Sequence, residues 1–488
     1  MKLFPLFFLV LVPLGLSAQS RIGTGAVAEL YAQYCLSCHG PALEGGLGSS
    51  LVDELWVYGE SDADIARVIR EGVPEDGMVP YEGVLSPEQI RSLVIYIREM
   101  GQLAAQDKSP AQVDPETDIL TSQHHAFRLK KVVGLEEDTF WSVSFLPDGA
   151  MLLSQFGGKL FVARDGELGE PILGIPEVHR HGQGGLLEVQ AHPDYKDNGW
   201  IYMAYAERSP VPVDGRSAYM TAIVRGRIRD GVWIDQEDIF RVPAEFHRTA
   251  GVHFGTRFVF KDGMLYFSIG DRGNPDDAQD LTRPNGKVHR IHDDGRIPDD
   301  NPFIGQAGAY PSIWSYGHRN PQGLDLNPTT GGIWSTEHGP RGGDELNLIK
   351  RGANYGWPVI THGINYNGKP ITDRTEAPGM EQPVHQWTPS IAVCGIDFYE
   401  GDKFPGWQGD LFVGGLSSQH LERFKLEGTE IVEHEVLFKG LGRIRDVSTG
   451  PDGCLYVILN KDRTSGPGSI YCLVPESSPA PAENKGSD

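Results

Sequence analysis

Cysteine is scarce in this sequence. Five residues in a chain of 488 are too few for a disulfide scaffold, and two of the five stand in one Cys-x-x-Cys-His string. Basic residues are in deficit as well: 43 Lys and Arg against 66 Asp and Glu leave a net charge of −23. Such a surface repels phosphate backbones and anionic headgroups, which excludes nucleic acid as a partner. Long apolar runs are missing after residue 16. The one that exists, Leu3 to Leu16, follows Lys2 and leads into Ser17-Ala18. It is shorter than the roughly 20 residues of a spanning helix and holds Pro5 and Pro13. We read residues 1–18 as a signal peptide, with a retained anchor as the competing reading. A periplasmic or secreted protein with no membrane span after cleavage is expected.

What the chain has in quantity is turn formers, 61 Gly and 34 Pro, which disfavours a helical bundle and suits many short strands joined tightly. The length suggests two or three domains. Residues 21–103 form the first. Val27, Leu30, Tyr31 and Tyr34 keep helical spacing, and Ser86-Pro87-Glu88-Gln89 marks a second helix start, with an N-cap serine, proline at the first helical position and glutamine at the third. Ile90, Leu93, Val94 and Ile97 supply that helix's apolar stripe. The two helices are expected to frame a short irregular middle. Residues 104–118 are polar with two prolines and read as a linker, and residues 476–488 as a disordered tail.

Between them, residues 119–475 repeat one pattern: a turn of the Asp-Gly kind followed by an alternating apolar strand. The turns are Asp148-Gly149, Asn198-Gly199, Asp262-Gly263, Gly331-Gly332, Gly409-Asp410 and Asp452-Gly453. Six marks predict a mainly β fold, a six-bladed β-propeller preceded by a small all-α domain; a pair of β-sandwiches is the alternative. Cys454 and Cys472 fall on strands of the last blade that read as paired, which leaves a bridge between them open and Cys394 unmatched.

The chemistry is clearest at Cys35-Leu36-Ser37-Cys38-His39. Two thiols at this spacing bracket the vinyl groups of one covalently held haem c, and the adjacent imidazole ligates its iron. No βαβ setting supports a redox dithiol, and no second ligand pair supports zinc. Met78, in a loop near Pro80, is the expected second axial ligand, with Met100 as the competitor. The unit resembles a class I cytochrome c. Propellers host unrelated functions, so the second unit is harder to read. His179 and His181, like His289 and His292, lack convergent carboxylates and are expected to be solvated loop residues. Asp293-Asp294-Gly295 and Pro298-Asp299-Asp300 lack the spacing of a calcium loop and read as turns.

Seven strings, in order, carry a resemblance: residues 181–195 (HGQGGLLEVQAHPDY), 253–260 (HFGTRFVF), 269–273 (IGDRG), 314–324 (WSYGHRNPQGL), 337–349 (EHGPRGGDELNLI), 353–358 (ANYGWP) and 443–447 (RIRDV). Together they resemble the soluble aldose dehydrogenases that depend on pyrroloquinoline quinone (PQQ), the glucose/sorbosone dehydrogenase family. The resemblance implies a quinohaemoprotein that oxidises the anomeric hydroxyl of an aldose, or a related sugar or polyol, to a lactone. Electrons would pass from PQQ to the haem and on to an external acceptor, a cytochrome or a quinone-linked chain. It places His253 as catalytic base and Asp271 as the carboxylate that orients it. Arg319 and Asn320 match the quinone-contacting pair, Arg443 and Arg445 the arginines that hold the quinone carboxylates, and Gln183 a further polar contact. Gly339 and Pro340 match carbonyl ligands of the cofactor's calcium, and Asp344, Glu345 and Tyr355 a second calcium region. The glucose-oxidising branch has an aspartate before the histidine and a lysine in the string matching residues 415–418; this chain has Val252 and Ser417 there. The first change removes a sugar contact and the second a cation from the quinone pocket. From another class, the rival reading is a non-catalytic carbohydrate- or protein-binding propeller with a haem sensor or structural domain.

Overall fold

The computed structural model describes residues 25–53, 55–107, 114–461 and 466–476. The signal segment, residues 108–113 of the linker and the tail from residue 477 lie outside them. The chain divides into two compact units, each taken by itself below.

Among the described residues the first unit holds four α-helices, α1 (Ala26–Tyr34), α2 (Leu36–His39), α3 (Asp62–Glu71) and α4 (Pro87–Asp107), and a short 3-10 turn at Pro74–Asp76. Helix α4 starts where its sequence says. Ser86 Oγ accepts the Gln89 N–H while Gln89 Oε1 accepts the Ser86 N–H at 2.9 Å, a capping box. Its stripe of Ile90, Leu93, Val94 and Ile97 is buried with Val27 and Tyr31 of α1 and Ile65 and Ile69 of α3. Two expectations need correction. The middle of this unit is not merely irregular, because Ser61 and Asp64 cap α3 reciprocally and give its Ile65 and Ile69 one buried face. Helix α4 also runs on through residues 104–107, where a linker was expected; Ala104 and Ala105 are strong helix formers, so polarity alone misread them.

The second unit is a six-bladed β-propeller with six antiparallel sheets. The first strands of blades 1 to 6 are Phe140–Phe145, Leu186–Ala191, Phe258–Lys261, Pro321–Leu326, Val393–Phe398 and Arg443–Thr449. These innermost strands pack against one another around the ring. Blades 1 to 5 each take four consecutive strands, but blade 6 is completed from the other end of the unit. Ala126–Leu135 pairs along Gly468–Glu476, from Ala126 opposite Glu476 to Leu135 opposite Gly468, so chain closure is a backbone ladder that leaves no open seam. Cys454 and Cys472 form a disulfide within this closing blade.

All six turn marks fall at one equivalent position, between the first and second strands of successive blades. Apolar clusters fill the wedges between blades; Trp141, Leu187, Tyr202, Phe254 and Phe267 share one. Since every first strand begins at the end opposite these turns, the segments that precede first strands or join second strands to third gather at one rim. Gln183, His253, Asp271, Arg319, Gly339, Ser417 and Arg443 all lie in or beside such segments.

Candidate functional site

At that rim the His253 side chain is held by a buried carboxylate. Its Nδ1 lies 2.6 Å from Asp271 Oδ1. Asp271 follows the second strand of blade 3 (Met264–Ile269) and is wholly buried. Its carboxylate also accepts the Gly273 N–H and the Trp357 indole N–H, each at 2.8 Å. With Nδ1 engaged, the imidazole keeps Nε2 for a reacting group. Burial, then the charge of Arg319, lowers the His253 pKa against the opposing pull of Asp271. Burial weighs most against charge on Asp271, yet the hydrogen bond and charge of His253, with Arg319 and the Gly273 N–H, hold its carboxyl below the usual carboxylate range. This pair can take up a proton near neutral pH and stabilise the cation formed.

The backbone of His253 is held too. Gln183 Oε1 accepts the His253 N–H at 2.8 Å, and the Gln183 N–H donates to Gly251 O at 2.7 Å. The two loops meet so closely that a Cβ on Gly182 would lie 2.1 Å from Gly251 O, and Gly182 has φ +61°. Only glycine permits that approach.

The arginines line the same rim. Arg319 Nη1 donates to His338 O at 2.9 Å and Gly339 O at 2.6 Å, while its Nε is buried without a partner. Arg445 Nη1 reaches Gln322 Oε1 at 3.1 Å and Cys394 Sγ at 3.3 Å, both neutral. Arg443 Nη1 donates to Leu416 O at 3.0 Å. The strand carrying the pair does not alternate cleanly, because a bulge falls between Ile444 and Asp446. Asn320 Oδ1 accepts the Gly255 N–H at 3.3 Å. Ser417 Oγ donates to Ser390 O. The Arg319 and Arg445 guanidiniums donate to carbonyl, amide and thiol partners, and one Arg319 N–H is orphaned; such donors suit a planar polycarboxylate.

The expected calcium ligands divide. Gly339 O and Pro340 O lie at the rim beside Arg319; each already accepts a hydrogen bond, from Arg319 and from the Gly343 N–H. Asp344, Glu345 and Tyr355 are each engaged by protein groups. Asp344 takes the Gly339 and Val393 N–H groups on its two oxygens. Glu345 sits opposite Glu337 on the neighbouring strand, and burial followed by repulsion from Glu337 raises its pKa. Tyr355 donates to Leu348 O at 2.5 Å and accepts the Lys350 N–H.

Sequence reasoning missed three features. Trp357 donates its indole N–H to Asp271, although only its string was recognised. Arg257, 4% exposed, pairs with Glu188 at 2.7 Å and Asp446 at 2.9 Å and donates to Arg445 O, so a buried ion triad underlies the arginine strand. The histidines also differ from expectation. His289 is wholly buried between Ser312 Oγ and Pro284 O, and burial brings its pKa down to about 3. His181 is half-buried and stacks on Tyr219 at 4.2 Å. A cavity of about 780 Å³ opens at the turn end of the ring, lined by Asp325, Asp397, Thr449 and Asp452 among others; none of the expected site residues reaches it.

In the first unit, His39 Nδ1 lies 2.8 Å from Ser49 O, which leaves Nε2 for an axial position. Cys35 and Cys38 form no disulfide. Met78 and Met100 both pack on the apolar cluster of this unit.

Residues 137–470 match the family described as glucose/sorbosone dehydrogenase. The chain belongs to that family. Residues 24–97 match a second family, the cbb3-type cytochrome c oxidase subunit III, so a cytochrome c domain precedes the dehydrogenase propeller. The aldose sugar dehydrogenase YliI of Escherichia coli is 44% identical over 334 residues, 67% of this chain and 88% of that protein. The apo-form crystal structure of the soluble E. coli aldose sugar dehydrogenase is 40% identical with a TM-score of 0.65, covering 72% of this chain and all of that one. The PQQ-bound aldose sugar dehydrogenase of Streptomyces coelicolor is 25% identical with a TM-score of 0.56, covering 72% of this chain and 98% of that one. This protein is therefore a sugar dehydrogenase propeller behind a cytochrome c domain. No helix among the described residues is long and apolar enough to cross a membrane.

Proposed function

We propose that the protein is a periplasmic or secreted quinohaemoprotein that oxidises the C1 hydroxyl of an aldose, or a related sugar or polyol, to its lactone. The observation that carries this is the buried Asp271–His253 pair beside three arginines. PQQ, when bound, supplies the two-electron acceptor that takes hydride from the sugar carbon.

The chain's own residues do the rest. His253 Nε2 takes the hydroxyl proton as the carbon–hydrogen bond weakens, while Asp271 holds the ring and stabilises its charged form. Trp357 and the Gly273 N–H keep Asp271 ionised and in place. Gln183 fixes the backbone under His253. Arg319, Asn320, Arg443 and Arg445 would hold the quinone and its carboxylates, with Arg257, Glu188 and Asp446 bracing Arg445 from below. Gly339 and Pro340 offer neutral carbonyl oxygens of the kind a hard calcium ion takes. Val252 in place of a sugar-contacting aspartate argues for a substrate range not centred on glucose.

Cys35 and Cys38 would hold haem c covalently, with His39 and Met78 supplying ligands to its iron. Tethering the haem to the propeller keeps its local concentration near the ~mM range of a linked domain, and an external acceptor would drain electrons from it. The test is to reconstitute the full chain with PQQ and calcium, then follow haem absorption while aldoses and polyols are added. Haem reduction that requires both PQQ and a sugar is expected. An oxidised haem in the presence of bound PQQ and every sugar tried would leave the non-catalytic reading standing.

A further inference from the structure

Arg272, next to Asp271, is wholly buried, yet it forms no ion pair with a carboxylate among the described residues. Its guanidinium donates instead to three backbone carbonyls: Val252 O through Nη1, and Ala250 O at 2.9 Å and Tyr219 O at 3.2 Å through Nη2. Below it the Phe254 ring lies 3.3 Å from the guanidinium carbon, and Nε has no partner. Burying a guanidinium on neutral partners is costly. Burial brings its pKa down to about 9, so the charge survives at neutral pH. A surface loop of glycine, alanine and valine does not need so expensive an anchor for stability alone.

The carbonyls it holds point to another use. Ala250 and Val252 lead directly into His253, which has φ +56°, a left-handed conformation that a non-glycine residue adopts only when its surroundings impose it. Arg272 itself has φ +56°, so the turn after Asp271 is bent to aim this side chain back at the loop. We propose that Arg272 is a positioning residue: it clamps the backbone of residues 250–252 and so sets the place of the His253 ring, while its neighbour Asp271 sets the ring's orientation. One dipeptide would thus fix the base at both ends. The inference rests on reading His253 as the base. The charged or titratable groups facing His253 are Arg319, Asp271, Arg272 and His338. Arg248, which faces Arg272, is already paired with Asp277.

The test uses the full chain with histidine-selective ¹³C labelling, His253→Asn to assign the ring signal, and dye-linked kinetics after reconstitution with PQQ and calcium. In Arg272→Met the His253 ring should titrate higher than in the wild type, because a facing cation is gone. Turnover should fall about tenfold or more with PQQ affinity unchanged. Arg272→Lys keeps the charge but cannot bridge the three carbonyls, so the titration should stay near wild type while turnover remains low. Wild-type titration and turnover in Arg272→Met overturn the proposal. If that variant does not fold, full turnover in Arg272→Lys overturns it. If no sugar is oxidised by the wild type with PQQ bound, the base assignment fails; an unchanged His253 ring chemical shift in Arg272→Lys, which keeps the charge but not the bridge, would then overturn the clamp as well.

Discussion

Asp271 Oδ1 and His253 Nδ1 are 2.6 Å apart, and the carboxylate is buried while the ring faces the rim. That asymmetry lets the pair work as one acid-base unit. His253→Ala should lower turnover by roughly two orders of magnitude or more, the usual share of a general base, with PQQ still bound. Asp271→Asn should lower it too, since the ring loses both its orientation and the charge that stabilises its cation. Stopped-flow reduction of the cofactor by sugar measures both, and wild-type rates in either variant would remove the assignment.

The pH profile follows from the direction of the His253 shift. Proton abstraction needs the neutral ring, so activity is present above the folded pKa and lost as pH falls through it. Burial and Arg319 lower that pKa from its ordinary 6.5. The acid limb of kcat/KM should therefore fall below pH 6.5. A limb well above 6.5 in the free enzyme would contradict a base in this environment.

Arg443 and Arg445 share one strand, Arg445 donates to Gln322 and Cys394, and Ser417 adds no charge where relatives of the glucose-oxidising branch have lysine. The two arginines should thus carry an unusually large part of the quinone affinity. Changing both to Ala is expected to abolish reconstitution, read by fluorescence titration of the apo-protein with PQQ. Unchanged affinity in the double variant would move the carboxylate-binding site elsewhere on the rim.

The propeller was legible because its six turns are chemically marked and equally placed, and the closing ladder completes what they imply. The capping box of α4 was legible for the same reason, since local chemistry demands specific residues at specific spacing. Helix α3 escaped because its capping aspartate and short apolar face were read as loop. His289 escaped because a histidine's burial depends on what the fold brings over it, here Ser312 and Pro284. Arg257 and Arg272 were out of reach in another way. Their partners lie on other blades or are bare carbonyls, and neither leaves a periodic trace.

The Cys454–Cys472 disulfide closes a loop of separation 18 in the blade that joins the two ends of the propeller. Cys472→Ser should lower stability by roughly 3 kcal/mol, as for a loop of this length. Denaturant titration of wild type and variant under oxidising conditions gives the difference. Equal midpoints would show that the β-ladder alone closes the ring.

Under the proposed function, the haem's second ligand would set how electrons leave the propeller. Met78 and Met100 both pack on the first unit's apolar cluster, but their backbones differ. Met100 sits inside α4, whereas Met78 ends a short loop fixed by paired hydrogen bonds with Val73, its N–H donating at 3.0 Å and its carbonyl accepting at 2.8 Å. A fixed loop can present a thioether to iron without breaking a helix, so Met78 is the expected ligand. Its sulfur would raise the haem potential, which matters because the reduced quinone holds two electrons and the haem accepts one at a time. Met78→Ala should lower the midpoint potential by a measurable part of the roughly 0.8 V range that axial ligands span. Haem reduction by sugar should slow accordingly, while dye-linked oxidation keeps its turnover and KM, because hydride transfer belongs to the propeller. Met100→Ala should leave the potential where it was. The opposite pattern in redox titration would transfer the ligand to α4, and an unchanged rate of haem reduction in both variants would show that the haem potential does not limit electron flow from the propeller.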